Sequence, residues 1–258
     1  MQSKKFSKDF EVHYYEIDRF QKALPRTLIN YMEDTAISHS ASVGYDVNVL
    51  KAANTGWILY RWSLHIDKYP LLGEKVTVET WPSSFERFHA TREFLIKNTS
   101  GEILAKASSL WIFFNTEKRK PMRIPMDVAD AYCINPEKVL DNPFNDISSN
   151  FEHNISNEFA IRYRDIDTNN HVNNISYIDW IMETLPVEIH SLCRLNSLEI
   201  IYRKEISAGK IICLSSGNLI LNENNNITNT DHSIYLHKIC DLNNQELAVS
   251  KTVWSPVK

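Results

Sequence analysis

The sequence contains an internal repeat that determines how its elements can be arranged. A shift of 149 positions aligns a segment near the N-terminus with one in the second half. The identical residues that it aligns include Ile17 with Ile166, Asp18 with Asp167, Ile29 with Ile178 and Thr35 with Thr184. A shift of 143 positions then aligns Leu104 with Leu247, Ala105 with Ala248 and Trp111 with Trp254. Because both segments recur in the same order, the sequence predicts two copies of one structural unit.

Each copy shows one helical pattern followed by consecutive strand patterns, which predicts an α+β fold with antiparallel sheets. In the first copy, a strand-like run at 10–15 precedes a helix that begins at Pro25, a favourable residue in a first helical turn, and ends near Val43. The strands predicted after it lie at 57–66, 74–81, 88–97 and 104–115. The second copy predicts strands at 160–164, 197–205, 210–221, 232–241 and 247–254, with a polar hairpin tip at 222–231.

The repeat also predicts how the chain divides into domains. We expect an N-terminal domain at residues 1–130 and a C-terminal domain at residues 158–258. Residues 121–159 contain four prolines among many Asn and Asp residues, with a short helix predicted near 126–132, and residues 131–157 are predicted to connect the two domains.

Composition and charge narrow the function classes. The 258-residue chain has a formal net charge of -4, so it lacks the broad positive field with which proteins bind nucleic acid. No apolar run approaches a membrane span and the first residues do not resemble a signal peptide, which predicts a soluble, cytoplasmic protein. The four cysteines are scattered without metal-ligand spacing, and the six glycines form no P-loop or dinucleotide motif, so neither a metal nor a cofactor is predicted.

Three polar residues alternate in the second copy. An extended backbone would turn the Asp167 carboxylate, the Asn169 amide and the His171 imidazole to one side. In the first copy Phe20 and Lys22 stand where the second copy has Asn169 and His171. A turn that the fold requires would keep similar chemistry in both copies, so this difference favours a function in the second copy over a structural turn.

An apolar helical pattern follows these residues and ends at Pro186. The first N–H groups of a helix have no partner within the helix, so they can bind developing negative charge. An acid–base cluster beside such N–H groups suggests chemistry on a carbonyl. The backbone N–H groups predicted to hold the resulting oxyanion are those of Val172, Asn173 and Asn174.

The motif D-x-N-x-H-V-N-N-x-x-Y-x-x-W, from Asp167 to Trp180, resembles the signature of the acyl-ACP thioesterases, a family of plant enzymes with bacterial relatives. The resemblance implies two tandem hotdog domains, each a long helix wrapped by a curved antiparallel sheet. It also implies hydrolysis of the thioester of a fatty acyl-[acyl carrier protein], whose acyl group is attached through phosphopantetheine. The order of elements extends the resemblance over nearly the whole chain.

The family's active residues correspond here to Asp167, Asn169 and His171, with Glu205 of the stretch LEIIYRKEI as the later glutamate. Strand alternation alone would place Glu205 on the exposed side, so its assignment rests on the resemblance. Plant relatives often carry a cysteine directly after this glutamate. Ile206 stands there in this chain, which excludes a thiolate nucleophile at that position.

The predicted mechanism is direct attack by water that a general base activates. Glu205 is the first candidate for that base, and His171 is the second because imidazole titrates near neutral pH. Asp167 would hold one tautomer of His171 or polarise the water, and Asn169 would position the water or the carbonyl.

The first copy lacks the polar set and is expected to lodge the acyl chain, with wall residues Met32, Trp57, Leu59 and Trp111. Since acyl carrier proteins are acidic, the candidate carrier-docking residues are the cations Lys118, Arg119, Lys120 and Arg123. Two alternatives stay open: a hotdog thioesterase that acts on acyl-CoA, and a non-catalytic acyl-binding or regulatory hotdog protein. The sequence also leaves open a homodimer.

Overall fold

A buried stripe on the long helix α1, Pro25–Ser42, organises the first unit. Leu28, Met32, Thr35 and His39 are buried on one face at three- and four-residue spacing. This face packs against the strands β1, Phe6–Glu11, and β3, Lys75–Glu86. Pro25 occupies the first helical position, as its fixed φ and missing N–H favour. The helix is followed by Gly44 at φ +87°, a left-handed conformation that glycine adopts without a steric penalty.

The first unit, Met1–Pro143, builds one antiparallel sheet in the order β1-β3-β4-β5-β2, with β6 paired to β5. Its strands are β1 Phe6–Glu11, β2 Thr55–Ile66, β3 Lys75–Glu86, β4 His89–Asn98, β5 Ile103–Asn115 and β6 Lys120–Pro121. Two short helices accompany α1: α2 Val47–Ala52 and α3 Met126–Ala131.

The second unit, Phe144–Lys258, repeats this plan with the sheet order β8-β11-β10-β9-β7. Its strands are β7 Ile155–Ala160, β8 Cys193–Tyr202, β9 Lys210–Ser216, β10 Ser233–Asp241 and β11 Glu246–Pro256. Its helices are α4 Asn174–Thr184, which packs on β7 and β9, and α5 Val187–Leu192. The predicted α+β class and tandem hotdog fold are thus confirmed.

The computed structural model describes residues 5–217 and 233–257. The hairpin tip predicted at 222–231 lies outside the described residues, as do the adjoining parts of the strands predicted at 210–221 and 232–241. None of the helices in the described ranges combines the length and apolar character that a membrane crossing requires.

The first strand of each copy lies earlier in the chain than the sequence pattern predicts. The prediction placed strands at 10–15 and 160–164, whereas short 3-10 helices occupy Tyr14–Glu16 and Tyr163–Asp165. An acidic residue at the end of each 3-10 helix folds the chain back. Glu16 accepts the His13 backbone N–H at 2.8 Å, and Asp165 accepts that of Arg162 at 2.8 Å.

Candidate active site

The polar segment before α4 is a closed turn. Asp167 Oδ1 accepts the backbone N–H groups of Asn169 at 2.8 Å and His171 at 3.2 Å, while the Asp167 N–H donates to the His171 carbonyl at 2.8 Å. Asn170 adopts φ 60°, a left-handed conformation that asparagine tolerates well. The predicted extended backbone is therefore wrong, because the Asp167 carboxylate binds the backbone of its own turn. The alternating side chains are arranged by this turn and not by a strand.

The turn directs the His171 imidazole toward Glu205. His171 Nε2 lies 3.4 Å from Glu205 Oε2, and their side chains keep 32% and 43% of their surface exposed to solvent. Glu205 follows the end of β8 and lies in a loop, not in the strand predicted at 197–205. The structure therefore brings together the two residues that the sequence proposed as alternative bases, at a place that water can reach.

Asn169 lies on the exposed surface of the same turn. Its Nδ2 lies 3.4 Å from Asp167 Oδ2, so the amide is held by the second oxygen of the carboxylate that closes the turn. Among the described residues, no hydrogen bond or ion pair joins the Asp167 carboxylate to the His171 ring. The hypothesis that Asp167 fixes the His171 tautomer is therefore not supported, since the turn commits this carboxylate to N–H groups of the turn itself.

Two of the three predicted oxyanion donors are already engaged. The Val172 N–H donates to the Ile206 carbonyl at 2.8 Å, and the Asn173 N–H donates to the Asp165 carbonyl at 2.7 Å. We therefore remove Val172 and Asn173 from the oxyanion prediction. Asn174 begins α4, and within the described ranges its N–H has no acceptor, as is usual for a first helical residue.

Two residues without a predicted role hold this site in place. Asp165 is buried and receives the Arg162 guanidinium at 3.0 and 3.1 Å. Burial works to raise the pKa of Asp165, but the bonds and charge of Arg162 outweigh it and lower that pKa. Its carbonyl also anchors Asn173, the N-cap of α4, so Asp165 ties the start of the helix to the 3-10 turn. The sequence repeat could have indicated the structural role of Asp165, because another acidic residue, Glu16, occupies the matching position in the first copy.

Tyr177 is the second such residue. Its hydroxyl donates to the Lys204 carbonyl at 3.4 Å, directly before Glu205 in the chain. Burial of the ring, with a smaller contribution from the Glu205 charge, raises the pKa of Tyr177. Tyr177 is part of the sequence motif, where its position on the buried face of α4 could have indicated a supporting role.

The first copy contains the same turn without the same side chains. Asp18 Oδ1 accepts the N–H groups of Phe20 at 2.8 Å and Lys22 at 3.0 Å, and the Asp18 N–H donates to the Lys22 carbonyl at 2.8 Å. Gln21 takes the left-handed conformation, with φ 61°. The sequence argument that turn chemistry differs between the copies is therefore wrong for the backbone. What differs is the pair of side chains that the turn presents.

The four predicted wall residues lie in the first unit, where two are buried and two are partly buried. Met32 and Leu59 are buried, and Trp57 packs against Phe113 with ring centroids 4.7 Å apart. Trp57 and Trp111 both border the cluster of buried residues around Phe113. Contact of these residues with an acyl chain stays a prediction.

The four predicted docking cations are all exposed and lie at or just after the turn that joins β5 to β6. Arg119 adopts φ 48° within this turn. The basic residues are Lys118, Arg119, Lys120 and Arg123, and we call them the β5–β6 basic turn. Their role in binding a carrier also stays a prediction.

No cysteine belongs to the Asp167–His171 turn or directly follows Glu205 in the chain. Cys193, Cys213 and Cys240 are buried and Cys133 is exposed. Burial raises the pKa of the Cys213 thiol to about 11, so this thiol is protonated at neutral pH. Ile206, which follows Glu205, offers no thiol.

The two hotdog units in one chain define a tandem hotdog protein. In the second unit, an imidazole and a carboxylate are in contact beside the start of the central helix. Residues 3–132 match the model of the acyl-ACP thioesterase N-terminal domain, and residues 148–256 match that of the acyl-ACP thioesterase C-terminal domain. The chain belongs to the acyl-ACP thioesterase family.

Among curated relatives, the chloroplastic palmitoyl-acyl carrier protein thioesterase of Gossypium hirsutum is 30% identical over 266 residues, which cover 97% of this chain and 64% of the relative. The chloroplastic oleoyl-acyl carrier protein thioesterase 1 of Arabidopsis thaliana is 27% identical over 224 residues, covering 80% of this chain and 62% of the relative. This chain thus spans about 60% of the length of these two relatives.

Solved structures share the fold over almost the whole chain. The putative oleoyl thioesterase of Lactobacillus plantarum superimposes with a TM-score of 0.87 at 24% identity, covering 100% of this chain and 98% of that one. The 12:0-ACP thioesterase of Umbellularia californica gives a TM-score of 0.86 at 23% identity, covering 98% of this chain and 94% of that one. At this level of identity, these structures support the fold alone.

Proposed function

We propose that this protein hydrolyses the thioester of fatty acyl-[acyl carrier protein] and releases a free fatty acid and the carrier protein. The observation that carries the proposal is the contact of 3.4 Å between His171 Nε2 and Glu205 Oε2 beside the start of α4. Membership in the acyl-ACP thioesterase family supports the choice of substrate. The names of the relatives from Gossypium hirsutum and Arabidopsis thaliana point to the same class of thioester.

In this mechanism a water molecule attacks the thioester carbonyl carbon and passes a proton to the Glu205–His171 pair. Glu205 is the first candidate to take the proton and His171 the second. Because the two groups are in contact, the partner can stabilise whichever one carries it. The tetrahedral intermediate then expels the phosphopantetheine sulfur, which receives the proton, and the carbonyl forms again as a carboxylic acid.

The oxyanion of that intermediate needs a donor. The Asn174 N–H is the remaining backbone candidate, and Asn169 is the side-chain candidate for placing the water or the carbonyl. A preorganised donor of this kind contributes about 3 kcal/mol to stabilisation of the transition state. No metal or cofactor enters any of these steps.

The test is to incubate the purified protein with fatty acyl-[acyl carrier protein] of mixed chain length and to identify the released acids by mass spectrometry. We expect free fatty acids to appear, and matched acyl-CoA of the same chain lengths to be hydrolysed more slowly. Faster hydrolysis of acyl-CoA would identify the protein as a thioesterase for that carrier. Binding of acyl chains without release of acid would identify a non-catalytic acyl-binding protein.

We expect charge reversal in the β5–β6 basic turn to weaken carrier binding. The double change Lys120→Glu with Arg123→Glu should raise KM for acyl-[acyl carrier protein] on the order of tenfold while changing kcat little, because exposed charges mainly set the rate of association with an acidic partner. Initial rates at two salt concentrations measure this effect, which should shrink at high salt.

Two controls accompany this prediction. Lys51→Glu reverses an exposed charge on α2 of the same unit and should leave KM unchanged. Acyl-pantetheine, which lacks the carrier protein, should be hydrolysed equally well by the wild type and the double variant. A loss of kcat on both substrates would show that these residues do not act through the carrier.

Two further expectations stay predictions. The location of this chain in the cytoplasm rests on the sequence, while the relatives named above are chloroplastic proteins. A homodimer likewise stays a prediction.

A further inference from the structure

The two copies of the repeat provide an internal comparison for Asp167. In both turns one aspartate oxygen accepts two backbone N–H groups. One residue with left-handed backbone precedes the last position of the turn, and an isolated antiparallel bridge joins the two ends of the turn. The bridges are Ile17 with Ala23 and Ile166 with Val172. The first copy presents Phe20 and Lys22, which form no acid–base cluster, yet its aspartate makes the same bonds. The backbone hydrogen bonds of the turn are therefore sufficient to explain why an aspartate stands at this position.

The contacts of Asp167 account for both of its oxygens. Oδ1 holds the N–H groups of Asn169 and His171, and Oδ2 holds the Asn169 amide at 3.4 Å. A proton on either oxygen would remove the negative charge that strengthens the two Oδ1 bonds that define the turn. Glu205, by contrast, faces the His171 ring directly at 3.4 Å.

We infer that Asp167 is a positioning residue whose carboxylate shapes the turn that directs His171 toward Glu205, and that it exchanges no proton during the reaction. The inference rests on the proposed function for its kinetic consequence, but its structural consequence can be measured without substrate. It separates Asp167 from His171 and Glu205, although all of them were predicted as one catalytic set.

The kinetic experiment compares Asp167→Asn with Asp167→Ala. Asparagine keeps an acceptor oxygen for the two N–H groups but loses the charge and the second oxygen, which lies 3.4 Å from the Asn169 amide, whereas alanine removes both acceptors. We expect Asp167→Ala to lower kcat about 100-fold, the size of effect that misplacing a catalytic group produces, and Asp167→Asn to stay within about tenfold of the wild type. If Asp167 transferred a proton, Asp167→Asn would lose about 10²- to 10⁴-fold, as Asp167→Ala would, and that result would overturn the inference.

The first copy supplies the matched control. Asp18→Ala removes the same two bonds from a turn that presents Phe20 and Lys22 in place of Asn169 and His171. We expect it to lower the midpoint of urea unfolding while kcat stays at the wild-type value. A loss of kcat equal to that of Asp167→Ala would show that the effect arises from general destabilisation, and would also overturn the inference.

A spectroscopic measurement tests the inference independently of catalysis. The chemical shifts of the His171 ring, read by NMR in the free protein, report its contact with Glu205, and Glu205→Gln provides the reference in which the carboxylate is absent. We expect Asp167→Asn to keep the wild-type shifts and Asp167→Ala to move them toward the Glu205→Gln reference. Wild-type shifts in Asp167→Ala would refute the inference. If the wild type releases no fatty acid, the proposed function fails and this measurement still decides the role of Asp167.

Discussion

Replacing Glu205 with glutamine is expected to lower kcat for acyl-[acyl carrier protein] hydrolysis by about 10²- to 10⁴-fold, because the variant loses a group that can accept a proton from the attacking water. The change keeps the size and shape of the side chain and replaces one acceptor oxygen by an NH2 donor; because Glu205 is exposed, the fold should be retained. Steady-state rates at saturating substrate measure the effect. We expect KM to change little, since the loss is confined to the transition state.

The same measurement on His171→Gln decides which of the two groups is the base. The larger loss of kcat identifies the base, and the smaller loss identifies the partner that stabilises it. Because His171 and Glu205 are in contact, the double variant should lose less than the product of the two single effects. His153→Gln, at an exposed position of the same unit, is the matched control and should keep the wild-type rate. Full activity in both site variants would remove the catalytic assignment.

Lowering the pH is expected to destabilise the folded protein through the buried histidine His237. His237 is fully buried on β10, where Ser215 Oγ lies 2.7 Å from Nδ1 and Thr252 Oγ1 lies 2.8 Å from Nε2. Burial lowers its pKa to about 3, because a charged imidazole would lose its hydration there. In the unfolded chain the same group has an ordinary pKa near 6.5.

The sign of the effect follows from proton binding. Between about pH 6.5 and pH 3 the unfolded chain binds a proton that the folded chain does not, so the free energy of unfolding falls as the pH falls. The expected loss from this group is roughly 3 kcal/mol between pH 6.5 and pH 4, at about 1.4 kcal/mol per pH unit. Above pH 6.5 both states are neutral and the contribution is constant. His39, whose pKa burial and the charge of Arg92 lower to about 4, acts in the same direction in the first unit.

Urea unfolding at pH 7, 5 and 4 measures this dependence. His237→Gln should be less stable than the wild type at pH 7, because it loses well-placed hydrogen bonds, but its stability should fall less steeply toward pH 4. His153→Gln should follow the wild-type dependence. An unchanged slope in His237→Gln would assign the acid sensitivity to other groups, such as carboxylates that are paired in the folded state.

The repeat allowed most of the fold to be predicted from the sequence. Helix α1 was predicted from Pro25 and its helical pattern, and the strands that follow it were predicted from consecutive strand patterns. These signals are strong because a hydrophobic period and a proline each correspond to one backbone geometry. The first strand of each copy was misplaced because an acidic residue, Glu16 or Asp165, forms a 3-10 turn whose local hydrogen bonds are invisible to periodicity.

The candidate site was predicted in part. The contact between His171 and Glu205 agrees with the family resemblance, whereas strand alternation could only indicate that Glu205 is exposed. The alternating polar residues were misread as a strand, because a five-residue turn with one left-handed residue shows the same spacing in sequence. The oxyanion prediction failed at Val172 and Asn173 because their acceptors, Ile206 and Asp165, lie outside the local segment.

The distribution of the four cysteines has a practical consequence. Cys133, just after α3, is exposed, while Cys193, Cys213 and Cys240 are shielded by the interior of the second unit. A maleimide dye should therefore attach to the native wild-type chain at one position, and to the denatured chain at four. The ratio of dye to protein would then report the folded fraction of a preparation, and every variant discussed above could be compared by this ratio without further engineering.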